Sequence, residues 1–138
     1  MGEILEKLLL PLPDIRTMPA VEARLIIAFR LAVVALKNDY DCREQLSDRL
    51  GGKLAATRML ILAETIGFAW PEAFQIGRPC CSRTTPDEIW LAAAIRLAAG
   101  GNRPAFDLLS CEMIGDSERE RIFIDLRNFV AAYRDGAG

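Results

Sequence analysis

Histidine is missing from this 138-residue chain altogether. Its absence excludes Ser-His-Asp triads, Cys-His dyads, His-liganded zinc or iron, and the commonest general base near neutral pH. Acid/base work would fall to Asp, Glu, Lys, Tyr or Cys. Runs of β-branched residues in period-two alternation are also scarce, which predicts almost no sheet. Long apolar runs are lacking too. The longest, "LIIAFRLAVVAL" (Leu25 to Leu36), is too short to cross a bilayer and contains Arg30. The opening "MGEILEKLLLPLPD" does not read as a secretory signal: its first charge is acidic, its apolar run stops at Pro11, and no small-residue cleavage site follows. Glu6 stands where a myristoylation site prefers Ser or Thr. The expectation is a cytoplasmic protein with no membrane partner, its four cysteines reduced at rest.

Apolar side chains are abundant. They make up 51% of the chain, at or just above the usual range of about 45–50% for a soluble domain. The surplus must be buried in a full core or against another copy of the chain. A net charge of −2 gives no global attraction to nucleic acid or anionic lipid.

Gly and Pro punctuation ("PLP", "GG", "GFAWP", "GRP", "GGNRP", "MIGD") cuts the chain into pieces of helical length. The reading is a single domain over 1–138, with a short helix and Pro-rich connection in 1–18 and a helical core in 19–134. The fold expected is all-α, a compact bundle of about five to seven helices with two nearly all-apolar central ones. The first of these runs from near Pro19 to about Asn38, where Arg30 and Lys37 share one line. A short polar helix closes at Gly51 and Gly52. The helix from about Lys53 to Ala69 puts Ala55, Met59, Leu62, Ala63 and Ile66 on its dry side. Lys53, Thr57 and Glu64 form one wet line, Arg58 and Thr65 another. Leu54, Ile61 and Phe68 fall between those lines, so the helix is expected to be covered on more than one side.

The second apolar helix has a clear start. Thr85 is the N-cap, Pro86 holds the first helical position, and Glu88, three residues after the cap, completes a capping box. A shorter helix follows from about Arg103 to Ile114. The last opens with Ser117 as cap and Glu120 as its partner and runs to about Tyr133. It places Ile122, Leu126, Phe129, Val130 and Tyr133 on one face, with Arg121, Asp125, Asn128 and Arg134 off it.

The stretch "GRPCCSRTTPDE" (Gly77 to Glu88) carries the chemistry most worth weighing. Cys80 and Cys81 are redox candidates, because Arg78, Arg83 and the following helix N-terminus would favour a thiolate. A disulfide between neighbours is strained, since a trans peptide holds their Cα atoms about 3.8 Å apart against a usual range of about 4.4–6.8 Å. A metal site would need Cys42, Cys80, Cys81 and Cys111 together, without the usual paired-ligand spacing. Anion binding at the helix start would use Arg78, Arg83 and Thr85, against repulsion from Asp87 and Glu88. The plainest reading makes both cysteines small apolar residues in a turn. Pro79, Cys80, Cys81, Arg83, Thr85, Asp87 and Glu88 resemble the corresponding stretch of an uncharacterised family of small bacterial all-helical proteins with a Pro-Cys-Cys loop before a capped helix. The resemblance implies a bacterial origin and a helical fold, and it carries no catalytic residue across.

Residues 46–65 invite a helix-turn-helix reading, with Lys53, Thr57 and Arg58 as DNA-binding candidates. Gly52 stands where that motif wants an apolar residue, and the acidic balance (pI about 5.2) adds little attraction, so nucleic acid is not the favoured partner. "KNDYDC" lacks the calcium-loop pattern and reads as a solvated turn. No cofactor is implied. The leading expectation is a non-enzymatic module that self-associates as a homodimer and works through protein contacts. A thiol-based redox or metal-responsive regulator is the alternative, and a DNA-binding regulator the second alternative.

Overall fold

A computed structural model describes residues 13–78 and 80–137, and the helix expected near Glu3 to Leu9 lies outside them. Six α-helices make up the described residues: α1 (Ala20–Asn38), α2 (Arg43–Leu50), α3 (Lys53–Ala69), α4 (Pro86–Ala99), α5 (Arg103–Ser110) and α6 (Asp116–Ala137). A single 3-10 turn, Ile15–Thr17, precedes them. The all-α bundle follows from the sequence pattern. Among the described residues there is no strand, only an isolated antiparallel bridge between Asp14 and Arg83. No described helix is long and apolar enough to cross a membrane.

Helix ends fall where local chemistry stops or starts them. At the end of α2, Gly51 takes the left-handed conformation (φ 78°) that closes a helix without a Cβ penalty. The Thr85 capping box forms as expected, with the Glu88 N–H donating to the Thr85 hydroxyl at 3.1 Å and the Thr85 N–H donating to the Glu88 carboxylate at 2.9 Å. The second expected box does not. Because the Arg119 N–H already donates to the Gly115 carbonyl, α6 begins at Asp116 and Ser117 lies inside it, its hydroxyl donating to Glu118.

The broadest helix–helix packing joins α3 to α6, with α1 and α2 against α3 and with α4 and α5 against α6. The dry side read for α3 is buried in full: Ala55, Met59, Leu62, Ala63 and Ile66 are at most 4% exposed. On α6, Ile122, Leu126, Phe129 and Val130 enter the same core. Asp125 departs from expectation. It is buried, its carboxylate accepting the Thr65 hydroxyl at 2.7 Å across the α3–α6 seam. A polar side chain can sit there because its partner faces it. Trp70 and Trp90 meet edge to face with ring centroids 4.6 Å apart, and Phe74 and Phe106 extend the aromatic cluster. The buried Trp90 indole N–H donates to the Ser110 hydroxyl at 3.0 Å.

Candidate functional site

Between α3 and α4 the chain runs from Trp70 to Thr85 without a helix. Loops of that length inside compact domains are uncommon and often carry function. This one is built around a buried cation. Arg30, in the middle of α1, is fully buried, and so is Glu88 in the first turn of α4. The Arg30 Nε donates to Glu88 Oε2 at 2.6 Å and Nη2 donates to Oε1 at 2.9 Å, a two-point pairing. The remaining guanidinium hydrogens go to backbone carbonyls of the loop: Nη1 donates to Arg78 at 3.0 Å and Cys81 at 2.6 Å, and Nη2 donates to Arg83 at 2.8 Å. All five donors of the guanidinium are thereby used. Glu88 is equally occupied, accepting also from the Gly77 and Thr85 N–H groups.

The loop backbone approaches the guanidinium so closely that a Cβ on Gly77 would lie 2.5 Å from Arg30 Nη2. Glycine is required there for space. From the outer side, residues 13–15 pin the same loop. The Ile15 N–H donates to the Ser82 carbonyl at 2.7 Å, and the Thr84 hydroxyl donates to the Pro13 carbonyl at 2.6 Å.

The redox candidates sit on this frame. A bond from the Cys81 N–H to the Arg78 carbonyl (2.9 Å) holds the cysteine stretch, with Cys80 exposed in a turn and Cys81 half-buried. The three residues considered for anion binding are adjacent but differently engaged. Arg78 and Arg83 offer their carbonyls to Arg30 while their side chains lie in exposed residues. Thr85 both accepts from Glu88 and donates to the Gln75 carbonyl. The anion at the start of α4 is Glu88 itself. The four metal candidates are not gathered: among the described residues no three His, Cys, Asp or Glu side chains are placed to hold an ion. Cys42 is buried at the start of α2, and burial pushes its thiol above the usual value. Cys111 is exposed at the end of α5.

A second candidate surface lies on the outer side of α3. Leu54, Ile61 and Phe68 are 57%, 38% and 93% exposed, so the described chain covers Leu54 and Ile61 only in part and Phe68 hardly at all. This corrects the expectation that their line is packed within the fold: α6 takes up the flank carrying Thr65, and the described residues leave the crest partly open. Ile124 of α6 is exposed as well. The exposed Leu108 and Leu109 of α5 form no repeat. The DNA-binding candidates occupy the start of this helix. Lys53 and Thr57 are exposed and Arg58 is half-buried, and Lys53 and Thr57 border a pocket they share with Arg43, Glu44, Ser47 and Asp48. The α2–Gly51–Gly52–α3 hairpin forms, and the pocket at its Lys53 carries Arg43 as well as two carboxylates.

The pairing of Arg30 with Glu88 was missed from sequence. Its signal was a lone arginine inside an apolar helix, a residue that is seldom fully buried without a partner. Compared with known proteins, the chain matches no family model, no curated protein and no solved structure.

Proposed function

We propose that this protein is a non-enzymatic helical module that binds a second copy of itself through the outer side of α3. The supporting observation is the line Leu54, Ile61, Phe68, three large apolar side chains repeating every seven residues, each more than a third exposed. Scattered exposed apolar residues are ordinary, whereas an ordered stripe on one helix marks an interaction surface. From Leu54 to Phe68 the stripe is about 21 Å long at 1.5 Å per residue, a length suited to helix-to-helix packing. The test is light scattering at micromolar concentration. A dimer mass is expected for the native chain and a monomer mass for Phe68→Ser, and a native monomer ends this reading.

One observation favours a second reading, a thiol-based regulator at Cys80 and Cys81. The tip of the loop is exposed while its base is held by Arg30. Thiol titration across pH, with elemental analysis, addresses it. The expected order of reaction is Cys80 and Cys111 first, then Cys81, with Cys42 reacting only on unfolding. If Cys80 and Cys81 prove unreactive and metal-free in the folded protein, the thiol reading is lost.

A further inference from the structure

We infer that Cys80 and Cys81 form a redox switch coupled to the buried Arg30–Glu88 pair: the folded loop holds the dithiol form, and oxidation releases the loop. The inference rests on the thiol reading and specifies what oxidation does to the chain. The backbone on both sides of the Cys81 Cα is fixed. Its N–H, part of the peptide group between the two cysteines, donates to the Arg78 carbonyl at 2.9 Å. Its carbonyl accepts from Arg30 Nη1 at 2.6 Å, and the Arg83 carbonyl accepts from Nη2 at 2.8 Å. The guanidinium is not free to follow a moving loop, because Glu88 grips it at two points and both residues are fully buried.

Closing a ring between neighbouring cysteines disturbs this anchored stretch. A trans peptide keeps their Cα atoms about 3.8 Å apart, under the usual disulfide range of about 4.4–6.8 Å, so the peptide must twist and the Cys81 carbonyl must turn. Arg30 then keeps a buried N–H without an acceptor, a cost the folded loop avoids only as the dithiol. Linkage makes the opposition mutual: the disulfide weakens the loop as much as the loop disfavours the disulfide. Ser82 and Thr84 hold residues 13–15 from the same stretch, through the Ile15 N–H and the Pro13 carbonyl, so that segment loosens with it. Access sets the order of events, since Cys80 is exposed and Cys81 half-buried. The Cys80 thiolate attacks a small-molecule disulfide, breaking its S–S bond and expelling one thiolate. The Cys81 thiolate then attacks the Cys80 sulfur of this mixed disulfide and expels the second. Two electrons pass to the small disulfide, and the two cysteine protons end on the thiols released.

The test uses the full chain with Cys111→Ser, the buried Cys42 kept, and oxidised glutathione as the small disulfide, with products assigned by peptide mass. Oxidation is titrated against the ratio of reduced to oxidised glutathione, in buffer and in denaturant. The equilibrium constant for the Cys80–Cys81 disulfide should be roughly ten-fold or more smaller in the folded protein. A mixed disulfide at Cys80 that closes only in denaturant is the same coupling at its limit. The ring-closed chain should unfold at lower denaturant than the reduced one, and the Ile15 amide should lose protection from hydrogen exchange. Cys81→Ser carrying one glutathione on Cys80 is the control. It should unfold with the reduced chain, because its backbone stays on Arg30; an equal loss in this control overturns the inference. A disulfide that forms with equal constants in buffer and denaturant overturns the coupling and leaves the thiol reading standing. If both thiols stay unreactive in the folded protein, the two fall together.

Discussion

The interior beneath the cysteine loop and the outer side of α3 invert the usual distribution of polarity. Inside, an arginine and a glutamate lie fully buried, and every donor of the guanidinium has an acceptor. Outside, a phenylalanine is 93% exposed with no apolar neighbour over it. Among the described residues no buried side-chain nitrogen or oxygen lacks a partner, so the fold satisfies its inner polar groups completely while leaving apolar ones uncovered. The difference teaches where each kind of group meets its match. The charge pair is complete within the described residues, and the apolar stripe is not.

Removing one member of the pair should break the comparison most sharply. Arg30→Met leaves Glu88 buried without its cation and the Cys81 and Arg83 carbonyls without their donor, and should cost about 3–5 kcal/mol in denaturant unfolding. Replacing both, as Arg30→Met with Glu88→Leu, should be less harmful than the sum of the single changes, because the two act as one unit. Additive costs would show that the pair is not coupled. Next in size is Gly77→Ala. The added methyl meets the guanidinium, which its own bonds hold in place, and about 1–3 kcal/mol should be lost.

On the outer surface the order of effects reverses. Phe68→Ser should change monomer stability by no more than about 0.5 kcal/mol, measured at dilution, while abolishing the dimer signal. A large stability loss would mean that Phe68 packs within its own chain. The smallest effect is expected from acid. Asp14 and Asp41 each accept from an arginine two residues on, and the side-chain bonds from Arg16 and Arg43 lower each carboxyl to about 2. A carboxyl depressed in the fold binds its proton less readily there than in the unfolded chain. Its stabilising contribution is therefore present above the ordinary value of 3.8 and lost as pH falls toward 2. Both pairs are solvent-exposed, so screening by salt should flatten this dependence, and unfolding curves at pH 5 and pH 3 in low and high salt would check it.

Helix positions were readable because Gly, Pro and capping residues mark them directly: Pro86 after Thr85 opens α4, and Gly51 closes α2. Burial of the inner side of α3 was readable from its period. Arg30 was harder. It shares one helical line with Lys37, yet Lys37 is exposed and Arg30 is not. The reason is tertiary, since the acceptors come from residues 48 to 58 positions further along the chain. Glu88 was read as a cap and is one, but a capping carboxylate has further lone pairs, and these hold the guanidinium. The fate of Leu54, Ile61 and Phe68 was open for a related reason. Periodicity says that a face is apolar; what lies opposite it depends on how the other helices are arranged.

The contact between the two indoles has a practical consequence. Trp70, which ends α3, and Trp90 touch each other at the foot of the long loop, and both are buried. Intrinsic fluorescence of this protein is therefore a gauge of one neighbourhood, and it should register loosening around the loop early in unfolding.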